Sequence, residues 1–169
     1  MNYLQLSTVD RSRLFFDLSQ MPDFMEKSFS GLAKESLLMN GPGGEFSPVE
    51  QVWHLADLEE EGFFLRIMAL LDGTAWNLSD FDGDRVAADR NYKSLSFSAG
   101  LEKFRQARGR NIRIFRTLDE SKWSNKGYLE GVGDITLCNM PAFLYQHDLA
   151  HKSEIENWKK LYAYSECNK

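Results

Sequence analysis

The sequence predicts an all-α protein, a four-helix bundle with one long crossover loop. Three observations lead there. Four segments place apolar residues at intervals of three and four, the period of a helix with one buried face. No stretch shows sustained alternation of apolar and polar residues, the mark of a half-buried strand. Ser47-Pro48-Val49-Glu50 is a capping box with proline at the first helical position, the clearest helix start in the chain.

The first helix is expected over 9–33, with Leu14, Phe15 and Leu18 facing inward and a break near Pro22-Asp23. Gly41-Pro42-Gly43-Gly44 is a loop. The second helix runs from about 48 to 72 and stops at Asp72-Gly73. Residues 73–97 have no sustained period. A connection that long in a compact domain signals a functional loop or a short extra helix. Its acids, Asp80, Asp82 and Asp84, resemble part of a calcium loop, but the glycine falls one place early and Asn91 stands where the last bidentate Glu belongs. They are expected to be solvated loop acids. The third helix spans about 98–118 and carries Lys103, Arg105, Arg108, Arg110, Arg113 and Arg116. These read as a solvated basic face, with the alternative that one arginine turns inward to hold an anionic substrate. Gly131-Val132-Gly133 is a turn leading into a fourth helix over 134–163.

The 169 residues, 43% of them hydrophobic, suffice for one domain with a substantial core. A net charge of −5 argues against nucleic-acid binding, which needs positive charge to neutralise phosphates, and gives no support for an acidic membrane surface. The apolar run Phe63–Leu71 is interrupted by Arg66 and too short to span a bilayer. Charged residues at 10, 11 and 13 break any signal-peptide core. Cys138 and Cys167 are too few and too far apart for a disulfide framework, so both are expected as reduced thiols in the cytoplasm.

All three histidines fall on inward stripes. On the fourth helix, Met140, Phe143, His147, His151, Glu154, Trp158 and Leu161 share a face; on the second, His54 lines up with Leu58, Glu61, Leu65 and Met68. Histidines four apart on a helix place two nitrogens one turn apart, which suits chelation of zinc, nickel or iron. A third from a facing helix completes a His₃ set with an open position for water. A core histidine that is merely hydrogen-bonded is commonplace, but a pair of buried rings is expensive unless satisfied. Glu61 and Glu154 are candidates to accept the far N–H of a ligand histidine, or else line the mouth of the site. His147-Asp148-x-x-His151 differs from the metalloprotease signature His-Glu-x-x-His in its shorter acid and lacks a downstream third ligand. A di-iron carboxylate bundle needs Glu-x-x-His repeats, whereas Gln51 and Leu144 stand three residues before His54 and His147.

Phe46-Ser47-Pro48-Val49-Glu50, followed by His54-Leu55-Ala56-Asp57-Leu58-Glu59, resembles the opening signature of the DinB-like family, the damage-inducible or bacillithiol-transferase-like metalloproteins. His147-Asp148-x-x-His151-x-x-x-Ile155 resembles its second signature. The resemblance covers about residues 10–160. It implies a DinB-like four-helix bundle and metal ligands His54, His147 and His151 holding zinc, nickel or iron. It further implies a bacterial cytoplasmic protein, often a homodimer, whose relatives include thiol-dependent S-transferases and a thiol-dependent isomerase. The expected activity is thiol S-transfer using a low-molecular-weight thiol, with a metal-dependent hydrolase or a non-catalytic, stress-associated metal-binding protein as alternatives. Trp53 stands where the family resemblance leads one to expect a small or aliphatic residue.

Overall fold

The computed structural model describes residues 3–73 and 77–167; the side chain of Cys167 lies outside the described residues. The first arm of the bundle is two helices in series, α1 (Thr8–Ser19) and α2 (Met21–Phe29), separated at Gln20. Ser7 caps α1 by accepting from the Asp10 N–H, and Pro22 sits in the first turn of α2, where its missing donor costs nothing. The arm ends at Phe29, not 33; Gly31 turns the chain with φ 76°, and a single short turn, α3 (Lys34–Leu37), follows.

The second arm begins at α4 (Pro48–Asp57) with the expected reciprocal cap between Ser47 and Glu50. It passes through a π-helical stretch, Leu58–Phe64, and finishes as α5 (Leu65–Asp72), where Gly73 adopts φ 65°. The crossover that follows contains a two-residue strand β1 (Asn77–Leu78) and a short helix α6 (Gly83–Arg90), N-capped by Asp82. The third arm, α7 (Phe97–Thr117), is capped by Ser96.

Three short strands depart from the all-helical expectation. β2 (Lys126–Leu129) and β3 (Gly133–Thr136) form a hairpin with Gly127 opposite Ile135, and β1 joins β2 in parallel, giving the order β1-β2-β3. Gly131 and Gly133, with φ 75° and 102°, turn this hairpin instead of leading straight into a helix. The fourth arm, α8 (Met140–Cys167), therefore starts six residues later than 134. Strands of two and four residues are too short to display sustained alternation, although β2 alternates in burial.

The core divides into two apolar clusters. One gathers Phe15, Leu18, Ile67, Leu70, Phe115, Leu137 and Leu144; the other Met21, Met25, Val52, Leu55, Phe104, Ile155 and Trp158. Along every arm the clusters meet at polar residues or a break: Arg108 and Asn111 on α7, Asp57 and Glu59 on the second arm, Asp148 on α8, and the α1/α2 junction. Arg108, 2% exposed, donates Nε to Glu59 at 2.8 Å and both Nη groups to Asp148 at 2.6 and 2.8 Å, and reaches the Leu18 carbonyl at 2.9 Å. Asn111 donates to Glu59 at 2.7 Å. Burial alone would lower the Arg108 pKa, but the two carboxylates hold it above its ordinary value. Arg108 is thus neither solvated nor free for an anion. Its neighbours on α7 are also engaged: Lys103 with Asp57 and Glu60, Arg105 with Asp23 and Glu26, Arg110 with Glu60.

Asp57, 1% exposed, ties the crossover down by accepting from Arg90 (2.5 Å), Tyr92 (2.7 Å) and Lys103 (2.6 Å). Trp53 belongs to the same face. Its indole donates to the Ser96 carbonyl at 3.0 Å and lies over Gly100, where a Cβ would come within 2.8 Å of Nε1. The wide ring is accommodated by a glycine on the facing helix.

Candidate metal centre

The capped start of α4 sets the rotation of His54, and α8 carries His147 and His151 one turn apart. The three rings meet. Centroid separations are 5.1 Å for His54–His151, 5.5 Å for His54–His147 and 4.4 Å for His147–His151, and one nitrogen from each lies within 4.8 Å of the others. His54 and His151 are buried, 8% and 6% exposed, and His147 is half-buried. Phe46, Phe63 and Phe81 form the surrounding aromatic wall.

Gln51, one turn before His54, sets the chemistry of His151. Its amide Nε2 donates to Glu154 Oε2 at 2.7 Å, because a carboxylate only accepts. Its Oε1 must therefore face His151 Nδ1, at 2.5 Å, and that nitrogen carries the proton; Glu154 Oε2 also accepts from it, at 3.0 Å. In the neutral ring this leaves a lone pair on Nε2, which points at His147 Nε2, 3.2 Å away. Two imidazole nitrogens on a tetrahedral zinc ion stand roughly 3.3 Å apart. His54 Nδ1 is buried with no hydrogen-bond partner. Burial, followed by the charge of His151, holds the His54 pKa at about 3 and that of His147 at about 2, so both rings keep their lone pairs at neutral pH. The donor set fits a divalent transition ion.

Glu154 accepts as expected of a group orienting a ligand, and it is one-third exposed at the mouth. Burial would raise its pKa, but the bonds from His151 and Gln51 hold it below the usual value. Glu61 is a correction. It is exposed and pairs with Arg90 at 2.8 Å, and Leu65 beyond it is 55% exposed. The π-helical stretch has more residues per turn than an α-helix, so after Leu58 the inward positions become Glu59, Phe63, Ile67 and Leu70. Asp148 points into the Arg108 group, 1% exposed, and is no general base for the site. The crossover acids act locally: Asp82 caps α6 and Asp80 accepts from Arg66 and its own loop.

Sequence reasoning missed two residues. Gln51 was legible as a polar residue on the buried face of α4, one turn from His54. Gly83 was not. A Cβ there would come within 2.4 Å of the His54 ring, so only glycine lets α6 close over it. A cavity of about 450 Å³ opens on His54 and His151, lined also by residues 43–46, Asp84 and Glu154. A larger one, about 590 Å³, lies between α3 and the start of α7 and touches none of the histidines.

The model of the DinB superfamily matches residues 17–155. The chain is similar in structure to YfiT from Bacillus subtilis, described as a probable metal-dependent hydrolase with an unusual four-helix bundle topology: TM-score 0.83, 18% identity, covering 94% of this chain and 91% of that one. It is also similar to a mycothiol-dependent maleylpyruvate isomerase, with TM-score 0.72 and 10% identity over 92% of this chain and 63% of the other. No curated protein matches in sequence. No described helix is long and apolar enough to cross a membrane.

Proposed function

Since this chain belongs to the DinB superfamily, we propose that it is a metal-dependent enzyme of the thiol S-transferase type, with His54, His147 and His151 holding zinc, nickel or iron. The observation that carries this reading is the convergence of three imidazoles, two of which, His54 and His151, line an open cavity. Among the described residues these are the one such group of potential donors. A structural zinc site is closed by four protein ligands, whereas a catalytic one keeps a position open.

A bound divalent ion would lower the pKa of a thiol or water in that position. The chain's own residues do the rest. Gln51 and Glu154 hold the His151 tautomer, Gly83 lets the crossover press on His54, and the phenylalanine wall keeps bulk water from the rings. Glu154 uses Oε2 for both of its bonds, which leaves Oε1 at the mouth as an acceptor for a substrate proton. The likeness to a mycothiol-dependent isomerase favours a low-molecular-weight thiol as co-substrate; the likeness to YfiT supports a hydrolase using the same ligands as the second reading.

The test is metal content by mass spectrometry for the wild type and His151→Ala, followed by thiol addition to the cobalt(II)-loaded protein. We expect one ion per chain, lost in the variant, and a thiolate-to-cobalt absorption band. Equal occupancy in both proteins overturns the ligand assignment. A cobalt spectrum blind to thiols, together with ester or amide hydrolysis, replaces the thiol reading with the hydrolase.

A further inference from the structure

The crossover runs back along the second arm, and its contacts with that arm fall in reverse order. Leu78 is buried and paired through β1 with the hairpin, where the Glu130 N–H donates to its carbonyl at 3.0 Å. The Ser79 carbonyl accepts twice from Arg66, from Nε at 3.2 Å and Nη2 at 2.8 Å. Phe81 packs on Gly62, where an added Cβ would lie 3.7 Å from its own Cβ, and its ring stands 6.0 Å from that of His54. Gly83 then closes on His54 itself. Arg66, Gly62 and His54 thus meet Ser79, Phe81 and Gly83 in turn. Asp80 links the first contact to the second: its Oδ1 accepts from Arg66 Nη2 at 3.4 Å and from the Phe81 N–H at 2.8 Å.

Arg66 is poorly matched as a purely structural group. It is 8% exposed, yet its carboxylate partner, Asp80, is three-quarters exposed and 3.4 Å away, and its shorter bonds go to a neutral carbonyl. Burial outweighs Asp80 and holds the Arg66 pKa below its ordinary value, the reverse of Arg108. What the guanidinium supplies is geometry: a rigid fork that fixes a carbonyl thirteen residues along the chain. Its charge also reaches His147, where it acts against a proton and would act against a metal cation. Taking the metal-site reading above as given, we propose that Arg66 is a positioning residue for the metal centre. Through Ser79, Asp80 and Phe81 it holds the crossover where Phe81 and Gly83 bear on the His54 ring, so that His54 is aimed at His147 and His151 without the ion.

Cobalt(II) affinity and absorption spectrum are measured for the full chain carrying Arg66→Met, Arg66→Lys, Phe81→Ala, and Phe81→Ala combined with either change at Arg66. Alongside them, the His54 ring protons are followed by NMR in the metal-free chain. Arg66→Met keeps the apolar stem and removes the fork. It should weaken cobalt binding about tenfold and shift the d–d bands, whereas loss of the charge alone would tighten binding. Arg66→Lys, which can still donate to the Ser79 carbonyl, should recover about threefold of that loss. Phe81→Ala should weaken binding about as much as Arg66→Met, and the two together little more than either, because both act at one point; independent effects would multiply to about a hundredfold. Binding in Arg66→Met as tight as in the wild type, or tighter, overturns the proposal even if urea stability falls, and so does a pair whose losses multiply. Should Arg66→Met fail to fold, Arg66→Lys decides: a loss absorbed by Phe81→Ala upholds the proposal, and one that multiplies with it overturns it. Should the wild type bind no cobalt, the metal reading falls and the NMR arm decides the positioning. His54 signals that move in Arg66→Met then uphold it, and signals that stay at their wild-type positions overturn it.

Discussion

Two buried polar groups lie side by side in the bundle, and they are built on opposite plans. Around Arg108 all three guanidinium nitrogens donate, to Glu59, Asp148 or the Leu18 carbonyl. Around His54, His147 and His151 only His151 has supporting bonds, from Gln51 and Glu154; its Nε2 faces His147, and His54 Nδ1 is left without a hydrogen-bond partner. Both groups are costly to bury. The first recovers that cost within the protein, and the second leaves a set of donors that could hold a metal ion. Asp148 and His147 are adjacent in sequence and belong to different groups, so neighbourhood on a signature says little about role; the partner side chains decide it.

The most severe way to break the closed group is Arg108→Met. It strands two buried carboxylates and should cost about 3–5 kcal/mol in urea unfolding. Replacing Glu59 and Asp148 by leucine in the same chain should recover most of that loss. If Arg108→Met alone is harmless, the group is not the internally balanced unit described. Asp57, with its three donors, is a second closed centre. Its bonds hold its pKa below the ordinary carboxylate value even though burial would raise it. Asp57→Asn should therefore destabilise by about 2 kcal/mol at neutral pH. Because a depressed folded pKa gives stability that is lost on acidification, the gap between wild type and variant should close as pH falls below about 4. A gap that does not narrow as the pH is lowered below the ordinary carboxylate range contradicts this assignment.

The open group is tested more gently. Gly83→Ala should leave the metal-free fold intact while weakening metal affinity about tenfold, since the added methyl must displace the His54 ring. Isothermal titration with zinc would show it, and unaltered affinity would mean that the ring position is not set by α6. Glu61→Gln, which breaks only an exposed pair with Arg90, should change stability by less than about 0.5 kcal/mol and metal affinity not at all. A loss of metal in this variant would return Glu61 to the site.

The open group was the more legible of the two. Histidines at 147 and 151 share a face by spacing alone, and the capping box at Ser47 fixes where the count toward His54 begins. The closed group was hidden because its members lie 40 and 49 residues apart, and Arg108 sits within a run of basic residues that reads in sequence as one solvated face. The π-helical stretch concealed the fate of Glu61 and Leu65, because wheel counting assumes a constant number of residues per turn. Gly83 was silent for a simpler reason: a residue needed for its lack of a side chain leaves no pattern to read.

The division of the core by a charged seam has a mechanical consequence. Apolar stripes grip weakly against sliding, since a helix displaced by one turn, about 5.4 Å, can still present leucine to leucine. A forked guanidinium has no such tolerance, because the same displacement would part Arg108 from both oxygens of Asp148. A one-turn slip of α8 would also carry His147 to the level of His151 and leave the third imidazole without a partner opposite. The seam works as a ratchet tooth: it adds little grip of its own, but it admits one notch, the one at which the three histidines are level.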